Sequence, residues 1–129
     1  MTQVPSIIVV DDHTGLQGLL CQILLDAGYS VRSAAHRTGA LKMLDEKTPA
    51  IILMEWKQDG INAMTARQFI DSVHREHSDV DFIITTTREG AAQSAGDLGI
   101  RHTLLKPFRV DQLIDAVANC AAEVARASA

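Results

Sequence analysis

The chain has 129 residues, the size of one ordinary domain with one core. Apolar residues make up 47% and charged residues 22%, a mixture that sustains a packed interior and argues against wholesale disorder. Twelve Lys plus Arg against sixteen Asp plus Glu leave a formal charge of −4; no basic stripe is there to track a phosphate backbone, and direct nucleic-acid binding is not expected.

Short β-branched runs alternate with helical patterns along the chain. Ser6 to Val10 reads as a strand without polar alternation after Ser6, as expected of a strand covered on both faces. Leu16, Leu19, Leu20, Ile23 and Leu24 then form one apolar helix stripe, which Gly28 terminates. Tyr29 to Ala34 is a weaker strand. Gly39 to Lys47 is a short helix with Leu41 and Leu44 inward, closed off by Pro49. Ala50 to Met54 is the third strand, and Ala66 to Glu76 a helix with Phe69, Ile70 and Val73 on one face. Asp81 to Thr86 is the fourth strand, followed by an alanine-rich helix from Glu89 to Leu98. Thr103 to Leu105 is a brief fifth strand ending at Lys106-Pro107. Val110, Leu113, Ile114, Val117 and Ala121 stripe the last helix, with Asp111 in its first turn, where the helix dipole favours a negative charge.

No apolar run approaches the ~20 residues that span a bilayer, and the N-terminus lacks a signal-peptide layout. Cys21 and Cys120 are too few for a disulfide framework and fit no zinc spacing, so both read as reduced thiols. The expectation is a single cytoplasmic domain over residues 1–129, away from membranes.

Repeated strand–helix units argue for an α/β fold, a parallel sheet with helices on both faces. In such sheets the loops leaving the carboxyl ends of the strands build the site. Those ends carry Asp11 and Asp12, Glu55, Thr86 and Lys106. Clustered carboxylates repel unless a cation sits among them, and oxygen ligands with room for water suit Mg2+. A lysine and a hydroxyl beside them suit phosphoryl oxygens. Read singly, Asp12 is equally a helix cap; read together, the residues form a site for a phosphoryl group and a divalent cation.

From Ser6 to about Ala125 the chain resembles the receiver domain of bacterial two-component response regulators. Ile8-Val9-Val10-Asp11-Asp12, Ile52-Leu53-Met54-Glu55-Trp56, the strand from Phe82 to Thr86, and Gly99 to Phe108 with Lys106-Pro107-Phe108 carry the resemblance. It implies a doubly wound, flavodoxin-like sheet of five strands in the order 2-1-3-4-5. It also implies Mg2+ held by Asp11, Asp12 and the acceptor carboxylate, with help from the Lys57 carbonyl. Thr86 and Lys106 would bind phosphoryl oxygens, and histidine kinases, phosphotransferases or other regulators would be the partners. The surface of helix 4, strand 5 and helix 5 would be the face that responds, or the seat of a homodimer.

The sequence departs from that family at four places. The acceptor position holds Glu55 in place of aspartate; the extra methylene moves the carboxylate by roughly 1.5 Å. In-line attack tolerates little misplacement, and about a hundredfold in rate is lost on that scale. The glutamate instead offers a fixed charge to Lys106 or Thr86, smaller than the roughly −1.5 to −2 of a phosphorylated residue. Thr103 stands where an aromatic switch residue is usual, and His102 beside it points to the opposite strand face. The loop after strand 3 lacks the usual proline and looks longer by a few residues, with Asp59-Gly60 a turn pair or Asp59 an extra ligand. Thr87 stands where a small residue usually leaves the pocket open, and Thr87 and Arg88 would narrow the approach of a phosphodonor, unless Arg88 pairs with Glu89 or Asp59 at the surface.

His13 follows the acidic pair and could overhang the pocket, whereas His36, His74, His77 and His102 lie on separate elements without zinc-like pairing. Ala91, Ala92 and Ala95 make helix 4 either a shallow partner surface or a loosely packed helix. The expected function is a stand-alone atypical receiver acting through protein–protein contacts, not an enzyme beyond at most self-phosphorylation. The alternatives are a phosphorylation-competent Mg2+-dependent receiver, or a receiver module of a larger hybrid protein.

Overall fold

The structure is a computed structural model and describes residues 4–56 and 64–128. Chain order is β1 (Ser6–Val10), α1 (Thr14–Asp26), β2 (Ser30–Ala34), α2 (Arg37–Glu46), β3 (Ile51–Glu55), α3 (Ala66–Glu76), β4 (Asp81–Thr86), α4 (Ala91–Gly96), β5 (His102–Leu105) and α5 (Val110–Ser128). The five strands pair in parallel in the order β2-β1-β3-β4-β5. This is the doubly wound order expected from the resemblance.

Every residue of β1 is buried because the helices cover both faces of the sheet. Ile7, Val9, Ile51, Leu53 and Ile83 face α1 and α5, where Leu20, Leu24, Leu113 and Val117 meet them. Ile8, Val10, Ile52, Met54, Phe82 and Ile84 face α2, α3 and α4 through Leu44, Phe69, Ile70, Val73 and Ala95. Each large apolar side chain removed from water contributes about 1.5–3 kcal/mol, so the two half-cores together order the sheet. Phe69 and Phe82 meet edge-on at 6.1 Å between ring centroids.

Helix boundaries follow local chemistry. Thr65 and Gln68 form a reciprocal capping box at the start of α3. Gly28, at φ 99°, takes the left-handed turn that ends α1. The alanine-rich helix is shorter than its sequence pattern: α4 runs only from Ala91 to Gly96. Gly99, at φ 86°, lies in a turn in which the Ile100 N–H bonds back to the Ala95 carbonyl, so the segment read as a last helical turn is a reverse turn. At the other end α2 begins at Arg37, two residues before the expected Gly39.

Two members of the predicted stripes are exposed. Leu19 is 57% exposed and Val110 56%. Both line an apolar cavity between α1 and the segment after β5.

Candidate functional site at the carboxyl edge of the sheet

The register brings the ends of β1, β3, β4 and β5 to one edge: Val10 lies opposite Met54, Glu55 opposite Thr85, and Thr86 opposite Leu105. Backbone bonds fasten the residues just beyond, Trp56 N–H to the Thr85 carbonyl at 2.8 Å and Lys106 N–H to the Thr86 carbonyl at 2.6 Å. The sheet therefore sets where Glu55 and Lys106 stand.

Asp11 is buried, 1% exposed, and both of its oxygens are engaged. Oδ1 accepts the His13 N–H at 2.8 Å, and Oδ2 lies 3.3 Å from Lys106 Nζ. The same ammonium reaches Glu55 Oε1 at 3.0 Å. Asp12 is exposed beside them, and a carboxylate oxygen from each of Asp11, Asp12 and Glu55 can be chosen so that all lie within 4.8 Å of one another. Three hard oxygen donors at that spacing, partly open to solvent, fit a small divalent cation such as Mg2+. When bound there, the cation supplies positive charge against developing phosphoryl charge.

Thr86 is buried, and its hydroxyl accepts the Arg88 N–H at 3.0 Å. Of the two partners anticipated for the Glu55 carboxylate, Lys106 is thus within hydrogen-bond distance, while the Thr86 hydroxyl is engaged by the chain that leaves β4. Thr103 is half-buried on the strand face opposite His102. His102 instead meets α5, its Nε2 lying 2.9 Å from Glu123 Oε2, which Arg101 also pairs at 3.1 Å. Hydrogen bonding to His102, ahead of the nearby positive charges, holds the Glu123 carboxyl below the ordinary glutamate range.

His13 caps α1: its Nδ1 accepts the Leu16 N–H at 3.0 Å. Its own N–H donates to Asp11, so His13 ties the acidic end of β1 to the first turn of α1. His77 lies on the α2/α3 surface with Asp45 and Glu76, a juxtaposition that sequence separation concealed; its Nδ1 lies 3.3 Å from the Thr48 hydroxyl. Trp56 packs against the α2/α3 half-core. The roles expected of Lys57 and Asp59, and the loop extension around them, fall outside the described residues.

The residue that sequence reading missed is Arg37. It is 2% exposed, and its guanidinium donates to the carbonyls of Glu55 at 2.8 Å, Trp56 at 2.6 Å and Met64 at 2.8 Å, with Nε 3.3 Å from Met54 Sδ. Burial pushes this guanidinium down from its usual value, while the charges of Glu55 and Asp12 act against that shift. It remains a cation. An arginine between a strand and a helix reads in sequence as solvated surface, and no local pattern marked it.

An apolar cavity of about 430 Å3 adjoins Lys106 on the other side, walled by Leu16, Leu19, Leu20, Phe108, Val110 and Leu113, with Thr87 at its rim. On the surface expected for a dimer mate, Leu105 is 46% exposed, whereas Ala91 and Ala95 of α4 are buried in packing.

A family model of the response regulator receiver domain matches residues 7–118. The chain belongs to that family. Among curated relatives, the nitrogen assimilation regulatory protein NtrX of Azorhizobium caulinodans is 31% identical over 112 residues, covering 84% of this chain and 24% of that protein. Sporulation initiation phosphotransferase F of Bacillus subtilis is 30% identical over 118 residues, covering 87% of this chain and 90% of that one. The receiver thus spans about a quarter of the first relative and most of the second. Among solved structures, NtrX from Brucella abortus superposes with a TM-score of 0.89 at 22% identity, over 98% of this chain and 28% of that one. The signal receiver domain of a putative LuxO repressor protein from Vibrio parahaemolyticus gives 0.86 at 21% identity, over 98% and 96%. Those two likenesses establish the fold. The receiver family makes this a signalling module in two-component transduction, and among the described residues no helix is long and apolar enough to cross a membrane.

Proposed function

We propose that this receiver is atypical and works through protein–protein contacts, with Glu55 acting as a fixed charge at the phosphoacceptor position. The observation that carries this reading is the Lys106 ammonium shared between Glu55 at 3.0 Å and Asp11 at 3.3 Å. An amine placed to meet an incoming phosphoryl oxygen already has a carboxylate partner. The longer side chain carries its carboxylate one methylene further from β3 than an aspartate would.

The partner in this reading is a histidine kinase, a phosphotransferase or another regulator. The apolar cavity between α1 and the start of α5 supports it, because an amphipathic helix seated there would lie against Lys106, the residue that pairs with Glu55. A second reading, a receiver module within a longer regulator, draws on the NtrX relative, of which the chain spans 24%.

The deciding experiment is intact mass after incubation with Mg2+ and a small phosphodonor, on wild type, Glu55→Asp and Glu55→Gln. The expected result is phosphoryl gain by Glu55→Asp alone. Gain by wild type that Glu55→Gln blocks makes this a working phospho-receiver and overturns the proposal. Gain by none of the three places the silence elsewhere in the pocket and removes the role given to Glu55. Equal binding of a partner by all three variants refutes the fixed charge directly.

A further inference from the structure

Arg37 joins the two stems of the segment between β3 and α3. Its Nη2 holds the Glu55 and Trp56 carbonyls on one side of residues 57–63, and its Nη1 holds the Met64 carbonyl on the other. A guanidinium has five donors in a rigid fork, and three carbonyls and a thioether occupy it here. Carbonyl oxygens satisfy donors, yet they leave the full positive charge buried, which is unfavourable unless negative charge stands close by.

Among the described residues, the negative charges that act on it are those of Glu55, whose carbonyl it holds at 2.8 Å, and Asp12, two of the three carboxylates in the acidic cluster. Among the described residues, the cluster therefore has two protein cations against three carboxylates. Lys106 meets it from β5 at Asp11 and Glu55, and Arg37 meets it from behind β3. With Lys106 alone, two negative charges would remain uncompensated and a divalent cation would be the natural neutraliser. With both, the residual charge among the described residues falls to one.

We infer that Arg37 is an internal counter-ion of the acidic cluster, supplying from inside the fold part of the positive charge that a divalent cation would otherwise bring, and so weakening the hold of the cluster on such a cation. The inference rests on the acidic cluster being the receiver's cation pocket. Arg37 is a positioning residue in this account: it meets the pocket through the backbone of β3 and through its field, without reaching the reacting atoms.

The test is Mg2+ binding followed by Trp56 fluorescence and by the Mg2+-dependent rise in Tm over EDTA, on wild type, Arg37→Gln and Arg37→Lys. Loss of the charge in Arg37→Gln should tighten Mg2+ binding about fivefold or more, the effect of one unit charge across a partly screened separation. Arg37→Lys, which keeps the charge and loses the fork, should stay within about twofold of wild type on the same argument. If Arg37→Gln unfolds in EDTA, Mg2+ must restore its fold; failure of that rescue refutes the inference. Weaker Mg2+ binding by both variants also refutes it, since that pattern belongs to a residue that only shapes the loop stems. Equal affinity in all three proteins overturns the counter-ion role alone. Absence of Mg2+ binding in all three overturns the cation-pocket reading along with it.

Discussion

The contact between Lys106 and Glu55 lends itself to a double-mutant cycle. Glu55→Gln keeps the shape of the side chain and removes its charge; Lys106→Met keeps the aliphatic stem and removes the ammonium. At the observed 3.0 Å the gross Coulomb attraction is about 5.5 kcal/mol at an effective dielectric near 20 and about 1.4 kcal/mol in bulk water. Both side chains are mostly shielded, 15% and 19% exposed, so the pair sits between those limits, and desolvation of each ion subtracts from the gross figure. A net coupling of about 2 kcal/mol follows, in the range of charge-assisted hydrogen bonds. Lys106→Met alone should cost more than Glu55→Gln alone, because it strips the buried Asp11 of its ammonium partner as well. The assay is urea unfolding of the four proteins at pH 7 in EDTA, repeated at high salt to gauge screening. A coupling below about 0.5 kcal/mol at low salt refutes the argument, because that is what an exposed surface pair shows. Such a value would also remove the physical basis for Glu55 as a standing charge against Lys106.

Two further outcomes follow from other parts of the molecule. Glu123 is held below its ordinary value of about 4.5 chiefly by His102, so its contribution to stability is full above that value and is lost as pH falls through the lowered one. Glu123→Gln should flatten that acid-side loss in a series of thermal melts, and an unchanged acid limb would contradict the linkage. Burial raises the Cys120 thiol well above its usual range, with Asp81 adding to the effect. Cys120 should therefore resist a thiol reagent until the protein unfolds, while the half-buried Cys21 reacts first; comparable native-state labelling of both would contradict the packing of α5 against the sheet.

The sequence by itself determined the α/β class, because solid apolar runs such as Ile7 to Val10 and Ile51 to Met54 suit only strands covered on both faces. It also determined which residues stand at the strand ends, since a period of two leaves little freedom once the runs are in register. Asp11, Glu55, Thr86 and Lys106 were therefore legible as a group before any coordinates, though not the bonds among them. Local turn chemistry is less legible in the sequence. The alanines from Ala91 to Ala95 continue in pattern to Leu98, but the backbone folds back at Gly99.

Only the tertiary structure decided how charge is distributed around the site. The ammonium of Lys106 is divided between Asp11 and Glu55, which are 44 residues apart in sequence and meet because β1 and β3 are neighbours. His13 became a helix cap because its ring turns back onto the Leu16 N–H, a choice that depends on a rotamer and leaves no trace in spacing. Arg37 became a buried cation because α2 packs on β1 and β2 and beside α3, and lays its first residue across the Glu55, Trp56 and Met64 carbonyls. Periodicity reports which face of an element is apolar; it carries no information about a single polar side chain crossing between elements, because that side chain's partners are set by which segments the fold makes adjacent.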